Sequence, residues 1–390
     1  MNFLKVKALE KSYLESIGFS WHTDNDGSEY LSNELVQVSQ KEVNAYYEAV
    51  NELYDMVVAA AQEVIDENRF DELGIPFSLI DAIKMSWENE VHWHLYSRFD
   101  LAGGLDNKPI KLIEFNADTP TSLFETAILQ WAILKQNALD ESLQFNSLYE
   151  SLMDNFKRLV TLEESVEGFE QYYQGWKILF SSIAGSHEDE ITTKLLAHIA
   201  KEAGFESDFS FIDEVEFSPE GIFKNGINFE YFFKLIPWEN IAIEEGELAM
   251  LLTQIMQNQK AIILNPAYTL LFQSKGILKV LWELYPNHPL LLETSDKPLV
   301  GKKCVKKPVF GREGANISII EADGSVSFET KGTYTNNKFV YQEFVEFNEH
   351  EGQKYQAGVF FAYDGCGLGF RKGGLVLDNF AKFVGHIIKA

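Results

Sequence analysis

Asp100, Glu114 and Asn116 are the residues from which chemistry can first be read. With Arg98 they occupy the stretch 94–126, HLYSRFDLAGGLDNKPIKLIEFNADTPTSLFET. Leu95, Phe99 and Leu101 take odd positions there, and Arg98 and Asp100 take even ones. Ile113 and Phe115 are odd, and Glu114 and Asn116 even. Successive side chains of a strand point to opposite faces, so the spacing predicts two strands, each with one apolar and one polar face. Gly103, Gly104, Asp106 and Asn107 supply turn chemistry between them. In an even-to-even register, Arg98, Asp100, Glu114 and Asn116 share a face. Two carboxylates and an amide oxygen are hard donors of the kind that hold Mg2+ beside phosphate oxygens. An arginine on that face can answer a phosphoryl group. The same alternation also fits a solvated polar face on an edge hairpin.

The segment that follows favours the chemical reading. Ala117-Asp118-Thr119-Pro120-Thr121-Ser122 leads into an expected helix reaching about Leu139, and Ser122 with Glu125 has capping-box spacing. The polar face would then run into a helix N-terminus, where free backbone N–H groups favour an anion.

Further candidates lie along the chain. Ser39 and Glu42 form a second capping box, opening a helix to about residue 66 with Val43, Tyr47, Val50, Tyr54 and Val57 as its buried stripe. A shorter helix follows Pro76. His92 and His94 flank Trp93 on an expected strand, spaced either to chelate or to serve as structural histidines. Residues 177–183 read as a buried strand, and Gly185-Ser186-His187-Glu188-Asp189-Glu190 turns the chain into a helix ending near Gly204. A strand–loop–helix unit places that loop at the carboxyl edge of a sheet, a frequent ligand position. Its acids either answer the helix dipole or greet an ammonium group. Residues 206–236 are strand-like, and Trp238-Glu239-Asn240 closes that section. A helix over 247–258, a strand over 261–264 and a helix with Lys275 near its start come next. After residue 300 the chain becomes strand-rich: 304–309, 338–345, 355–363 and 367–371. Phe310-Gly311-Arg312-Glu313-Gly314-Ala315-Asn316 is either a loop able to lay N–H groups and a guanidinium over phosphates or an ordinary hairpin turn.

The 390 residues suffice for two or three packed lobes. Hydrophobic residues at 46% and charged residues at 24% argue against disorder. A formal net charge of -26 opposes nucleic acid and anionic membrane as partners and is friendly to an amine, although solubility accounts for it equally. The two cysteines, Cys304 and Cys366, match no zinc or disulfide framework and read as core or loop residues. No signal-peptide pattern and no run of about 18 apolar residues occurs, so a cytoplasmic protein is expected. Walker, GxSxG, HExxH and kinase motifs are absent. What remains is an oxygen-rich cluster, two separated lysines, a Gly-Arg loop and a strand bearing Gln342-Glu343, a kit that suits an ATP-grasp enzyme.

The segments RFDL, KLIEFNADTPTSL, SKGILKVLWELYPNHP, KKPVFGREGANI, VYQEFV and GLGFRKGG, in that order, resemble the ATP-grasp ligase part of the glutathionylspermidine synthase family. The resemblance runs from the N-terminal region to the C-terminus, without the amidase half of bifunctional members. It implies an α+β, permuted ATP-grasp fold with a preATP-grasp-like α/β lobe. The permutation follows from order, because the Glu114-Asn116 cluster precedes Lys275 and Lys307. Approximate lobes are 1–140, 141–260 and 261–390.

The resemblance further implies ATP and Mg2+ as cofactors, with Asp100, Glu114 and Asn116 as metal ligands. Arg98, Arg312 and Arg371 would serve the transferring phosphoryl group. Lys275, Lys307, Gln342, Glu343, Phe344, Val345 and Gln356 would bind ATP together with Arg98. Ser122, Glu188, Asp189 and Asn240 are the substrate-side matches. The implied activity joins a small-molecule or peptide carboxylate to an amine through an acyl phosphate. A strict glutathionylspermidine synthase, a ligase for another acid and amine, and a non-catalytic nucleotide-binding relative acting through a partner are the readings left open.

Overall fold

A computed structural model describes every residue except 25, 335–337, 379 and 390. In chain order, the elements that matter for the site begin with helices α1 (Gln40–Asp66) and α2 (Ile80–Glu88). Strands β1 (Ser97–Ala102) and β2 (Lys111–Asn116) follow, then α3 (Leu148–Thr161), β3 (Lys177–Ser182), α4 (His187–Glu202), β4 (Glu206–Phe211) and β5 (Tyr231–Lys234). Next come α5 (Trp238–Glu244), β6 (Ile262–Leu264), α6 (Ile277–Leu284), β7 (Thr294–Ser295), β8 (Cys304–Pro308), β9 (Ser318–Ile320) and β10 (Val326–Glu329). The last are β11 (Phe339–Glu343), β12 (Gln353–Ala362), β13 (Asp364–Gly373) and β14 (Lys382–Val384).

Three sheets carry the site. An antiparallel sheet runs β14-β13-β12-β1-β2, with the short strand Asn348–His350 paired to β12. A parallel sheet runs β6-β5-β3-β4. A second antiparallel sheet runs β7-β11-β8-β9-β10.

Helix α1 begins with the expected capping box, Ser39 accepting from the Glu42 N–H while Glu42 accepts from the Ser39 N–H. It packs Val43, Tyr46, Val50, Leu53 and Val57 into the core. The stripe therefore turns on Tyr46 rather than Tyr47, which is 38% exposed. Tyr46 is held there by its phenol, which donates to the Gly103 carbonyl at 2.7 Å. Under α1, Phe99 and Phe115 stack across β1 and β2 with centroids 3.9 Å apart.

Two local expectations are corrected. Strand β1 is buried at all six positions, not on one face alone, because its polar face is covered by the site itself. The capping box at Ser122 does not form. Ser122 sits at φ 65, and the helix opens instead through a π-turn over Glu125–Leu129 before its α-helical part, Gln130–Gln136. Glu125 is drawn away from the helix end by Trp21 and Tyr30, which donate to its Oε1 at 3.2 and 3.0 Å. Among the described residues no helix is long and apolar enough to cross a membrane.

Candidate functional site

The register of β1 and β2 sets Arg98 opposite Asn116 and Asp100 opposite Glu114. All four therefore share a face, the one opposite the Phe99–Phe115 stack. Asn116 Nδ2 donates to Asp100 Oδ2 and to Glu114 Oε1, both at 3.3 Å. Arg98 grips Asp100 with Nε 2.6 Å from Oδ1 and Nη2 3.0 Å from Oδ2. Lys275 Nζ lies 3.0 Å from Glu114 Oε2. The two carboxylates titrate in opposite senses. Burial raises Asp100 despite Arg98. For Glu114, burial is outweighed by Lys275 and Lys307, which hold it well below the usual carboxylate range.

Each cation is fixed by a different element. Lys275, on the turn before α6, also donates to the Gly311 carbonyl at 2.7 Å, so it ties the 310–316 loop to Glu114. Lys307 on β8 donates to Gln342 Oε1 at 2.7 Å and to the Ile113 carbonyl at 3.3 Å. Gln342 in turn donates to the Leu112 carbonyl at 3.1 Å, so β8 and β11 lean on β2. Burial lowers the Lys307 ammonium to about 8. Arg98 Nη1 donates to the Thr121 carbonyl at 2.6 Å. Arg312 donates to Thr119 Oγ1 at 3.1 Å and to Glu239 Oε1 at 2.8 Å. Gly314 in the same loop has φ 66, and a Cβ there would stand 2.9 Å from the Leu377 carbonyl oxygen. The loop can thus lie against residues 376–377 only with glycine at that position.

Two cavities meet at this face. A cleft of about 130 Å³ lies between the antiparallel sheets and is lined by Asp100, Lys275, Lys307, Gln356 and the run Gln342–Val345. A chamber of about 360 Å³ is lined by Arg98, Asn116, Ser122, Glu188, Asp189 and Arg312. Glu114, Gly311, Glu313 and Arg371 line both. Ser186 caps α4 by accepting from the Asp189 N–H at 3.3 Å, and this sets Glu188 and Asp189 at the chamber wall. Burial, and then the charges of Glu125 and Asp189, push the Glu188 carboxyl up to about 8, against the pull of Arg371.

Most of the residues singled out in the sequence come together here. Asn240 does not line the chamber; its neighbour Glu239 reaches Arg312 instead. Phe344 stands under the Lys303 ammonium at 4.4 Å, and Glu343 is 3.5 Å from Lys302. His92 and His94 lie outside both cavities, in irregular chain rather than a strand. Burial depresses each to about 4. Thr119, Thr121, Tyr30, Glu125 and Glu239 also contact the site or its lining, without a site role that their spacing in the sequence assigns. The hydroxyls of ADTPTS were a usable signal. Tyr30 lies in a stretch without periodicity, and Glu125 stands at capping-box spacing from Ser122.

An acidic joint lies behind the site. Asp118 is fully buried, with Oδ1 3.0 Å from Lys234 Nζ on β5 and Oδ2 accepting from the Trp238 N–H at 2.8 Å. Asn265, after β6, donates to the Asp118 carbonyl and accepts from the Leu95 N–H. Gln273 Oε1 takes the N–H groups of Ala117 and Asp118. The loop after β2 is thereby fastened to the parallel sheet.

The donor set can be tested for a metal ion. Among the described residues no three His, Cys, Asp or Glu side chains converge to hold one. An ion here would have two carboxylates and, with the Asn116 amide turned over, one amide oxygen. So few protein ligands suit Mg2+, which keeps waters and takes phosphate oxygens.

Three sheets around paired cavities define a mixed α/β protein of glutathione-synthetase-like fold. A solved glutathione synthetase-like effector of Globodera pallida matches it with a TM-score of 0.57 and 10% identity over 98% of both chains. The chain belongs to the family described as glutathionylspermidine synthase preATP-grasp, which it matches over residues 1–389. It is 30% identical to a Haemophilus influenzae protein named "Putative acid--amine ligase", over 96% of this chain and 95% of that one. It is 23% identical to the bifunctional glutathionylspermidine synthetase/amidase of Escherichia coli, over 86% of this chain and 58% of that protein. It is 22% identical to the trypanothione synthetase of Crithidia fasciculata, over 81% of this chain and 51% of that protein.

Proposed function

We propose that the chain is an ATP-dependent acid–amine ligase built on a permuted ATP-grasp core. The observation that carries this reading is the junction at Glu114 and Arg371, which line both the narrow cleft and the acid-walled chamber. A nucleotide in the cleft would present its terminal phosphate where the chamber begins. The names of the relatives support the same chemistry, since they are named as an acid–amine ligase and as synthetases.

The residues divide the work by charge. Lys275, Lys307 and Arg98 would hold the phosphates, while Gln342–Val345 and Gln356 would frame the base and sugar. Asp100, Glu114 and Asn116 would hold Mg2+, which neutralises phosphate charge when bound. Arg98, Arg312 and Arg371 would stabilise the group in transfer. The carboxylate of the acid would attack the γ-phosphorus, releasing ADP and leaving an acyl phosphate. The amine nitrogen would then attack the acyl carbon, with phosphate as the leaving group. Closure of the Gly311–Asn316 loop would keep water from that intermediate.

Glu188 and Asp189 would receive the amine, which arrives as an ammonium ion. The Glu188 carboxyl, raised to about 8, holds its proton at neutral pH in the free protein. The charge of an arriving ammonium would favour its ionised form, which could then take the proton that the nitrogen must lose before attack. The test is ADP release with pools of acids and amines, followed by mass spectrometry of the products from a metabolite extract with ATP and Mg2+. A new amide that requires both acid and amine is expected. Firm ATP binding without ADP release from any pair would overturn the reading.

A further inference from the structure

A third cavity lies on the other face of the β1–β2 hairpin, beside α1 and α2. It is the roomiest of the three, at about 580 Å³. Aromatic rings from four separate parts of the chain wall it: Tyr54, Trp87, Trp93, Tyr268 and Tyr363. Its charged lining is Asp55, Glu90 and Asp364, and no lysine or arginine lines it among the described residues. None of the candidate ligase residues lies in it. We propose that this cavity is a second site, separate from the ligase junction, for a small organic cation such as an alkylammonium.

Three further observations point to such an occupant. His92 lines the cavity and is 5% exposed; its Nδ1 has no hydrogen-bond partner and is itself buried from solvent. Burial keeps that ring neutral, so it offers no repulsion to a cation. Tyr363 is held at φ 73 in the turn between β12 and β13, a conformation that a bulky L-residue rarely adopts. Glycine or asparagine would fit that turn better, so the phenol ring stands there at a conformational cost. The ring already accepts a cation on one face, because the Arg158 guanidinium lies 4.2 Å from its centroid. Trp93 runs parallel to Tyr363 within 8°, with centroids 6.3 Å apart. Aromatic faces with carboxylates nearby attract ammonium groups through the ring quadrupole and opposite charge.

The cavity also abuts the hairpin that carries the ligase candidates. Tyr54 stacks on Phe361 at 4.1 Å and meets Phe115 edge-on at 6.4 Å. The site is thus placed to sense an amine next to the strands bearing Asp100 and Glu114, without sharing a residue with them.

The experiment is calorimetric titration of the full chain with tetramethylammonium chloride, and separately with 1,4-diaminobutane. Tetramethylammonium has no N–H and cannot be an acceptor in amide formation. Saturable binding is expected, weakened by added salt. Tyr363→Gly should keep or raise Tm, since it relieves the turn, yet lower cation affinity by about fivefold or more. Asp364→Asn, which keeps the shape of the side chain, should also weaken binding. No saturable heat with either cation would overturn the proposal. So would binding that survives Tyr363→Gly and Asp364→Asn.

Discussion

Arg98 closes on Asp100 two residues along the same strand, both nitrogen-to-oxygen distances at or below 3.0 Å and both groups buried. Each charge is thus answered before any ligand arrives. An incoming phosphoryl group would compete for the guanidinium and free the carboxylate for a cation. Arg98→Ala is expected to lower kcat by roughly two to three orders of magnitude, the usual scale for a lost electrostatic stabiliser. Steady-state ADP release checks this, and unchanged turnover would remove Arg98 from the reaction.

Lys307 offers a pH signature. Its ammonium, lowered to about 8 by burial, is charged below that value and neutral above it. ATP affinity should therefore be flat below pH 8 and fall as pH rises beyond it. Lys307→Met should weaken ATP binding roughly 10- to 100-fold, the range expected when a hydrogen bond to a charged group worth about 1.5–3 kcal/mol is lost. It should also abolish that pH dependence. Titrations of ATP at pH 7 and 9 on both proteins read the two effects.

Glu188 should leave its mark on stability. Its folded carboxyl is raised to about 8, above the value expected in the unfolded chain. Between those two values the folded state holds a proton that the unfolded state has lost, so this group's contribution worsens as pH rises towards 8. Glu188→Gln should accordingly raise Tm at pH 8.5 and leave it nearly unchanged at pH 4. Thermal scans at both values decide it, and equal shifts would count against a raised carboxyl.

The buried pair of Asp118 and Lys234 should behave asymmetrically. Lys234→Met leaves the Asp118 charge buried without its partner and should cost about 3–5 kcal/mol. Denaturant melts measure this. A change below about 1 kcal/mol would mean that the carboxyl is satisfied by the Trp238 N–H alone.

Much of the hairpin could be read from residue order, because side-chain alternation is a local property. Its register is not local: Arg98, Asp100, Glu114 and Asn116 share a face only on the condition of even-to-even pairing, which the strands meet there before the register shifts between Asp100 and Leu101. Tyr46 and Glu125 could not be assigned correctly. Tyr46 is chosen over Tyr47 by the Gly103 carbonyl, 57 residues away in sequence. Glu125 abandons its cap for Trp21 and Tyr30, contacts that no local pattern encodes. The junction of the two cavities is likewise tertiary, since Arg371 and Glu114 lie 257 residues apart in sequence.

The joint at Asp118 bears on which parts of the molecule are free to travel. Lys234, Trp238, Asn265 and Gln273 all converge on two consecutive residues, so the acid-bearing wall and the hairpin wall behave as one stiff frame. In the proposed ligase, opening to admit nucleotide would fall to the sheet bearing Lys307, which leans on that frame through Lys307, Gln342 and Arg312 and through the Lys275 N–H on the Val309 carbonyl. Amide exchange in that sheet should then slow when ATP is added, and exchange in the frame should change little.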